Sequence, residues 1–511
     1  MGKRWGSHAP VQGLDMNNTN VLKESDGTRM KKFFNSHFGV LMVFLLCFSY
    51  WSYLLFNSRM EIKHDAIGYE QLGTMIYKEG WGEFFKTGPH REPLYPLIIA
   101  VSMRIANIAR VPYQDVQRVI QIMILFMTQL FMVAILSKSK ISKWIILAVI
   151  YYFGFSPAVV NSVFSLFSEI AVYPFVLGIV YFGYLSWRDI HCSNDEKVVL
   201  WAVMTSLAFA GASFGKGIFQ YVFAFFLVPF FCAMLRSLIL RDWRVSRKAF
   251  VYIVITVCIV GTTVISYRSL NEKYNGSFEF TNRYDFLLFG NAAKRVEKMD
   301  KDLFLAHILS VPGGGVCRAV FPEEACRYSE FHYADQYRAM MLPKLLEGTR
   351  QEDVSKKTIS LAFEMIFRNP VQYAVLTALE SLKMGFWEST QMGYVLYPQP
   401  LNRFFSSAVV KNGVRFLLAI LTYFSLFYCG YHVYRRRSRL FCSDTIADVR
   451  VQMEFIILII VVLFTGLYSA YSILTRFALP ITVLYMCCIA FTMQNILEYY
   501  RCGSQRGDSK Q

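Results

Sequence analysis

The sequence predicts an all-α integral membrane protein, a bundle of about 10–12 transmembrane helices with a large extracytoplasmic insertion. Three observations predict it. Of the 511 residues, 55% are hydrophobic and only 17% charged, and the mean hydropathy is +0.34. Crossing roughly 30 Å of hydrocarbon takes about 20 apolar residues, and windows of that kind recur near 38–57, 93–110, 118–137, 143–160, 164–187, 198–235, 249–267, 409–434, 453–472 and 480–497. Between Arg268 and Arg403 the apolar rhythm gives way to a mixed, charged passage too long for a plain connection.

Residues 1–37 form a polar cytoplasmic tail. The 38–57 window follows it and is longer than a cleavable signal core, so it reads as a signal anchor. Lys31 and Lys32 hold the tail in the cytoplasm by the positive-inside rule, which puts the next loop, 58–92, outside. The module 38–267 carries the first set of spans. Its 198–235 window holds one or two helices, because Gly211, Gly215, Lys216 and Gly217 interrupt it. The basic clusters Arg236 to Lys248 and Arg435 to Arg439, and the 498–511 tail, read as cytoplasmic; segment 268–408 then lies outside and 409–497 closes the bundle. A twelfth span requires Ala362 to Trp387 to enter the membrane. One conflict stands: if 93–110 and 118–137 each cross once, the loop Ser137 to Lys140 falls on the wrong side for its lysines.

The formal net charge of +17 does not point to nucleic acid. It sits in short loops beside apolar windows, where orientation and anionic membrane lipids account for it. Six of the 11 cysteines (Cys47, Cys232, Cys258, Cys429, Cys487 and Cys488) lie in apolar windows and act as small hydrophobes. Cys317 and Cys326 stand apart in the 268–408 segment, where a disulfide and two thiols are both open. No Cys-x-x-Cys or His-rich spacing is present, so neither a metal nor a cofactor is expected.

The chemistry concentrates in the loop SRMEIKHDAIGYEQLGTMIYKEGWGEFFKTGPHRE, residues 58–92. Ionisable groups beside hydrocarbon are costly without a partner and mark functional positions. Asp65 stands just past the first span, and His90, Arg91 and Glu92 crowd against Pro93 where the next apolar window opens.

With these residues in view, the chain resembles the GT-C superfamily of polytopic glycosyltransferases that use polyprenyl-phosphate sugars, in particular the glycosyltransferase family 39 and aminoarabinose-transferase-like branch. The resemblance rests on HDAIGYEQLG at 64–73, HREPLYPLIIA at 90–100, the passage Asn161 to Glu169, NRYDFLLFGNAAKR at 282–295 and LTRFALPITVLYM at 474–486. Two departures withhold the substrate. Ala66 follows Asp65 where the protein mannosyltransferase branch has an Asp-Glu pair, and Arg91-Glu92-Pro93 stands where the lipid A aminoarabinose branch has a lysine before two prolines.

The resemblance implies inverting, direct transfer of a sugar from a polyprenyl-phosphate donor to a glycan, lipid or protein acceptor, with lipopolysaccharide among the glycans. It also implies an extracytoplasmic site, expected at a bacterial inner membrane. Asp65 is then the general base, a role one carboxylate fills in a direct displacement; read alone, it is equally a helix cap. Arg91 is the leading phosphate ligand because guanidinium grips phosphate through two parallel hydrogen bonds, against a snorkelling arginine. Glu92 orients Arg91 or the acceptor, or is a plain ion partner. Tyr69 and Tyr95 are sugar contacts or interface tyrosines. Glu169, inside an apolar stretch, is a substrate-binding candidate or a wet helix end; Lys216, between Gly215 and Gly217, is a phosphate contact or a snorkelling residue; Arg283 and Arg476 complete the phosphate site or anchor at the interface. His90 reads as an interface residue, and Asp285 stays outside the catalytic set.

The rival readings are a polysaccharide polymerase or ligase of the O-antigen type, which would rely on arginines in its main loop, and a multi-spanning transporter. A transporter would place paired charges within spans and often show two related halves. Neither appears in the sequence.

Overall fold

The structure is a computed structural model and describes residues 26–191, 197–282, 284–296, 299–350, 353–388, 393–441, 446–471 and 473–508. Among them, nine helices are long and apolar enough to cross a membrane, and a bent pair, Lys143–Phe155 with Pro157–Phe164 at 48°, makes up to ten. The chain is an all-α polytopic membrane protein.

The connections at the Asn57 end of the first span, Phe38–Asn57, explain the sequence conflict. The helix Leu94–Ala109 has 16 residues. At 1.5 Å per residue it is about 24 Å long, short of the hydrocarbon thickness. It also leads nowhere new. Ser102 Oγ donates to Gln117 Oε1 at 2.6 Å and Tyr95 OH to Gln121 Oε1 at 2.7 Å, so it lies against the opening turns of Tyr113–Lys138. There Arg118 Nη1 donates to the Ser58 carbonyl at 2.7 Å. The chain thus re-enters the bundle at the end where it had left it, and the expected crossing over 93–110 is corrected to a helix packed on one end of the bundle.

Tyr113–Lys138 then runs to the Phe38 end. Ser142 N donates to Gln494 Oε1 at 2.8 Å, and Gly39 faces Lys143 and Leu147. The lysines of the 137–140 loop therefore join the other basic clusters, as the positive-inside rule demands. The 198–235 window resolves into two spans, Val198–Gly215 and Phe219–Ile239. With one window lost and one split, ten crossings remain, counting the bent pair.

Close packing replaces pattern in the interior. Gly154 lets the bent pair approach the first span: a Cβ there would come within 2.4 Å of Cys47 Sγ, and the Gly154 carbonyl accepts the Trp51 indole N–H at 2.8 Å. Ser156 breaks the helix and caps the next one, accepting from Val159 N, with Pro157 at the first position.

Segment 276–407 covers the Asn57 end. Its helices Tyr284–Val296, Phe331–Leu345 and Val354–Arg368 pack through Leu288, Phe289, Leu342 and Ala362. The passage 362–387 is cut into Val354–Arg368, Pro370–Ser381 and a 3-10 turn Leu382–Phe386, and supplies no span. Cys317 and Cys326 are joined by a disulfide. Glu380, 1% exposed, collects Lys294 at 2.5 Å and Arg295 at 2.6 Å, both buried, and tethers Pro370–Ser381 to Tyr284–Val296. An antiparallel strand pair, Arg59–Met60 with Val395–Leu396, stitches the segment to the first loop.

Candidate active site

Where the covering segment meets the bundle there is a cavity of about 450 Å³. Its wall brings together Asp65, Tyr69, Arg91, Glu92, Glu169, Lys216 and Arg476, seven of the nine predicted residues. Arg283 lies outside the described residues. Tyr95 is 1% exposed with its hydroxyl spent on Gln121, and stands behind Tyr69 with ring centroids 5.1 Å apart.

Asp65 opens the helix Asp65–Lys78. His64, with φ 48°, occupies the cap position and makes no side-chain cap bond. The Asp65 carboxylate instead faces two guanidinium groups. Arg91 Nη2 donates to Oδ1 at 2.7 Å, and Arg476 Nη2 donates to Oδ2 from 411 residues away. The three side chains are 25%, 14% and 16% exposed. Burial alone pushes the Asp65 carboxyl up, but the charges and hydrogen bonds of Arg476 and Arg91 outweigh it and hold it well below the usual carboxylate range.

Aromatic faces hold the arginines. The Arg91 guanidinium lies 4.4 Å from the Tyr69 ring centroid, and Arg476 lies 5.7 Å from both Phe167 and Phe477. Tyr69 is fixed in turn through its hydroxyl to Ser168 Oγ at 2.9 Å. Beside Ser168, Glu169 and Lys216 pair at 3.2 Å, with side chains 6% and 10% exposed. At this burial Glu169 is not a wet helix end.

Glu92 accepts the Gly217 backbone N–H at 2.9 Å. That contact pins the break between two spans, and it needs glycine: a Cβ on Gly217 would sit 2.9 Å from Tyr284 OH and 3.5 Å from Glu92 Oε1. His90 also lines the cavity.

Sequence reasoning missed Phe167, Tyr284, Asp335, Arg338, Tyr468 and Tyr471, which also line the wall. Arg338 and Asp335 pair at 3.2 Å on one helix face of the covering segment. Their i, i+3 spacing was visible in the sequence, but such spacing is shared with ordinary solvated helix pairs. The described lining carries four acids and four bases; Asp65 engages two of the bases at once, and Glu92 bonds to backbone instead. Among the described residues no group of three or more His, Cys, Asp or Glu could hold a metal ion.

No family model and no curated protein matches the chain. Among solved structures, the archaeal oligosaccharyltransferase AglB from Archaeoglobus fulgidus, in complex with an inhibitory peptide and a dolichol-phosphate, is similar over 93% of this chain and 52% of its own. The identity is 11% and the TM-score 0.44. The present chain spans about half the length of that protein.

Proposed function

We propose that the chain is a membrane glycosyltransferase of the GT-C kind, moving a sugar from a polyprenyl-phosphate donor to an acceptor hydroxyl on the extracytoplasmic side. The observation that carries the reading is Asp65 held between Arg91 and Arg476 in the wall of the cavity. A carboxylate paired twice with arginine is a poor base, since catalytic bases work best with a pKa near the operating pH. It is also a reversible clamp on two phosphate ligands.

Donor entry makes use of both properties. The phosphate of the donor draws Arg91 and Arg476 from Asp65, because a guanidinium fork binds phosphate and carboxylate alike. Asp65 then loses the two charges that depressed its pKa and keeps the burial that raises it. The base strengthens only when donor is bound. The acceptor oxygen attacks the anomeric carbon as Asp65 Oδ takes the hydroxyl proton; the bond from that carbon to the phosphate oxygen breaks, and the lipid phosphate leaves with the electron pair, neutralised by the arginines. The sugar is inverted. The proton on Asp65 is released to solvent when the product leaves.

Glu169 and Lys216 position Tyr69 and Arg476 in this reading, and Glu92 keeps the Gly217 turn open. The test is transfer by the purified full chain from a panel of radiolabelled polyprenyl-phosphate sugars to a membrane extract of the host. Transfer from one donor, lost in Asp65→Asn, supports the reading. No transfer from any donor defeats it in favour of a polymerase, ligase or transporter.

A further inference from the structure

A second chamber of about 320 Å³ adjoins the Asp65 cavity and shares with it, among the described residues, Thr281, Tyr284 and Tyr471. Its chemistry differs. The Asp65 cavity offers arginines, whereas this chamber presents two carboxylates, Glu279 and Asp285, with the Ser355 hydroxyl donating to Glu279 Oε1 at 3.0 Å. The one guanidinium in its wall among the described residues, Arg268, is turned to Gln220 Oε1 at 2.7 Å.

The remaining described lining is one amide, Gln220, with aromatic rings, Thr281 and the aliphatic Leu288 and Ile359. Gln220 is 9% exposed, and its Nε2 has no hydrogen-bond partner among the described residues. A buried donor left unsatisfied costs about 1–3 kcal/mol, so such a group in a cavity wall marks a place where a ligand acceptor belongs. Tyr284 stands between Tyr221, at 6.4 Å, and Tyr471, at 5.4 Å between ring centroids. Among the described residues neither carboxylate has an arginine or lysine in hydrogen-bond contact, and burial pushes both up, with the charge of Asp285 adding to the effect on Glu279.

Two carboxylates repel a phosphate and accept hydroxyl protons. A buried amide donor and aromatic faces suit ring oxygens and the apolar face of a sugar ring. We infer that this chamber is an acceptor subsite that binds a glycosyl ring through Glu279, Asp285 and Gln220, so that the acceptor is a carbohydrate. The inference deepens the transferase reading and rests on it for the word acceptor, while sugar binding stands apart from it. Tyr284, at the junction of the two chambers, is the partition across which the acceptor hydroxyl reaches Asp65.

Saturation-transfer NMR on the detergent-solubilised full chain, with methyl glycosides of neutral and amino hexoses as probes, tests sugar binding without requiring transfer. At least one glycoside is expected to give a signal, and Glu279→Gln, Asp285→Asn and Gln220→Ala are each expected to weaken its binding about tenfold, the worth of one hydrogen bond near 1.4 kcal/mol. The same variants should raise the acceptor KM and leave donor binding unchanged. The near-isosteric Glu279→Gln guards against misfolding, checked by an unchanged melting midpoint at acidic pH. No glycoside signal, or a signal that survives in all three variants, overturns the inference, as does transfer to a peptide lacking sugar. A sugar that binds here while no donor supports transfer would leave this site standing and sink the transferase reading alone.

Discussion

Replacing Asp65 by asparagine removes one charge and nearly preserves shape, which makes it the sharpest probe of the site. Two effects with opposite signs follow from the geometry. Loss of a general base slows the chemical step by about 10²–10⁴-fold. Donor binding should tighten, because the phosphate no longer competes with a carboxylate for Arg91 and Arg476. A hydrogen bond to a charged group is worth about 1.5–3 kcal/mol. Asp65 is a quarter exposed, so solvent screening reduces this, and release of one such contact gives a gain of roughly three- to tenfold in donor affinity. Single-turnover transfer from a radiolabelled donor reads the first effect, and equilibrium binding of the same donor reads the second. A purely structural ion pair predicts the reverse pattern: weaker donor binding from loosened arginines and a nearly unchanged chemical step. Activity within tenfold of the wild type, or donor binding that weakens, would refute the exchange of arginines between Asp65 and phosphate.

Arg476→Ala and Arg91→Ala should each weaken donor binding by about 10–100-fold, the range of one charge-assisted contact; a binding isotherm matching wild type for either would exclude it as a phosphate ligand. Gly217→Ala should lower transfer, because the added methyl meets Tyr284 OH at 2.9 Å and displaces it, while Gly276→Ala, at a position with open space around it, costs only local backbone strain; equal transfer rates in the two variants would remove the Gly217 contact from the site. Glu380→Gln strands Lys294 and Arg295 without their counter-charge and should cost about 3–5 kcal/mol, read as a lowered melting midpoint or loss of folded protein. A melting midpoint equal to that of wild type would show that the cluster is not held by this acid. For pH, Glu279 and Asp285 have raised values in the folded state, so the folded chain binds more protons than the unfolded one in that window. Stability therefore falls as pH rises from the ordinary carboxylate range through the raised values, and Glu279→Gln should flatten that slope; a slope identical in the variant would remove Glu279 from it.

Length and hydropathy alone determined the polytopic all-α class, because backbone groups in hydrocarbon must be satisfied within helices and only long apolar runs meet that demand. Asp65 and Arg91 were also legible as candidates, being ionisable groups at the edges of apolar windows, and Arg476 through the family resemblance of the passage 474–486. Direction was not. A hydropathy window measures length and composition, so 93–110 looked like a crossing until the contacts of Ser102 with Gln117 and of Arg118 with Ser58 turned the chain back. Partners were hidden for a similar reason. Glu92 sits beside Arg91 in sequence yet bonds to the backbone of Gly217, Tyr95 turns inward to Gln121, and Arg338 enters the wall from the covering segment. Above all, the pairing of Asp65 with Arg476 joins the first loop to the last span. Sequence supplies the charges, but only helix packing closes 411 residues of separation to a hydrogen bond, and that closure brings two scattered ions together as a candidate site.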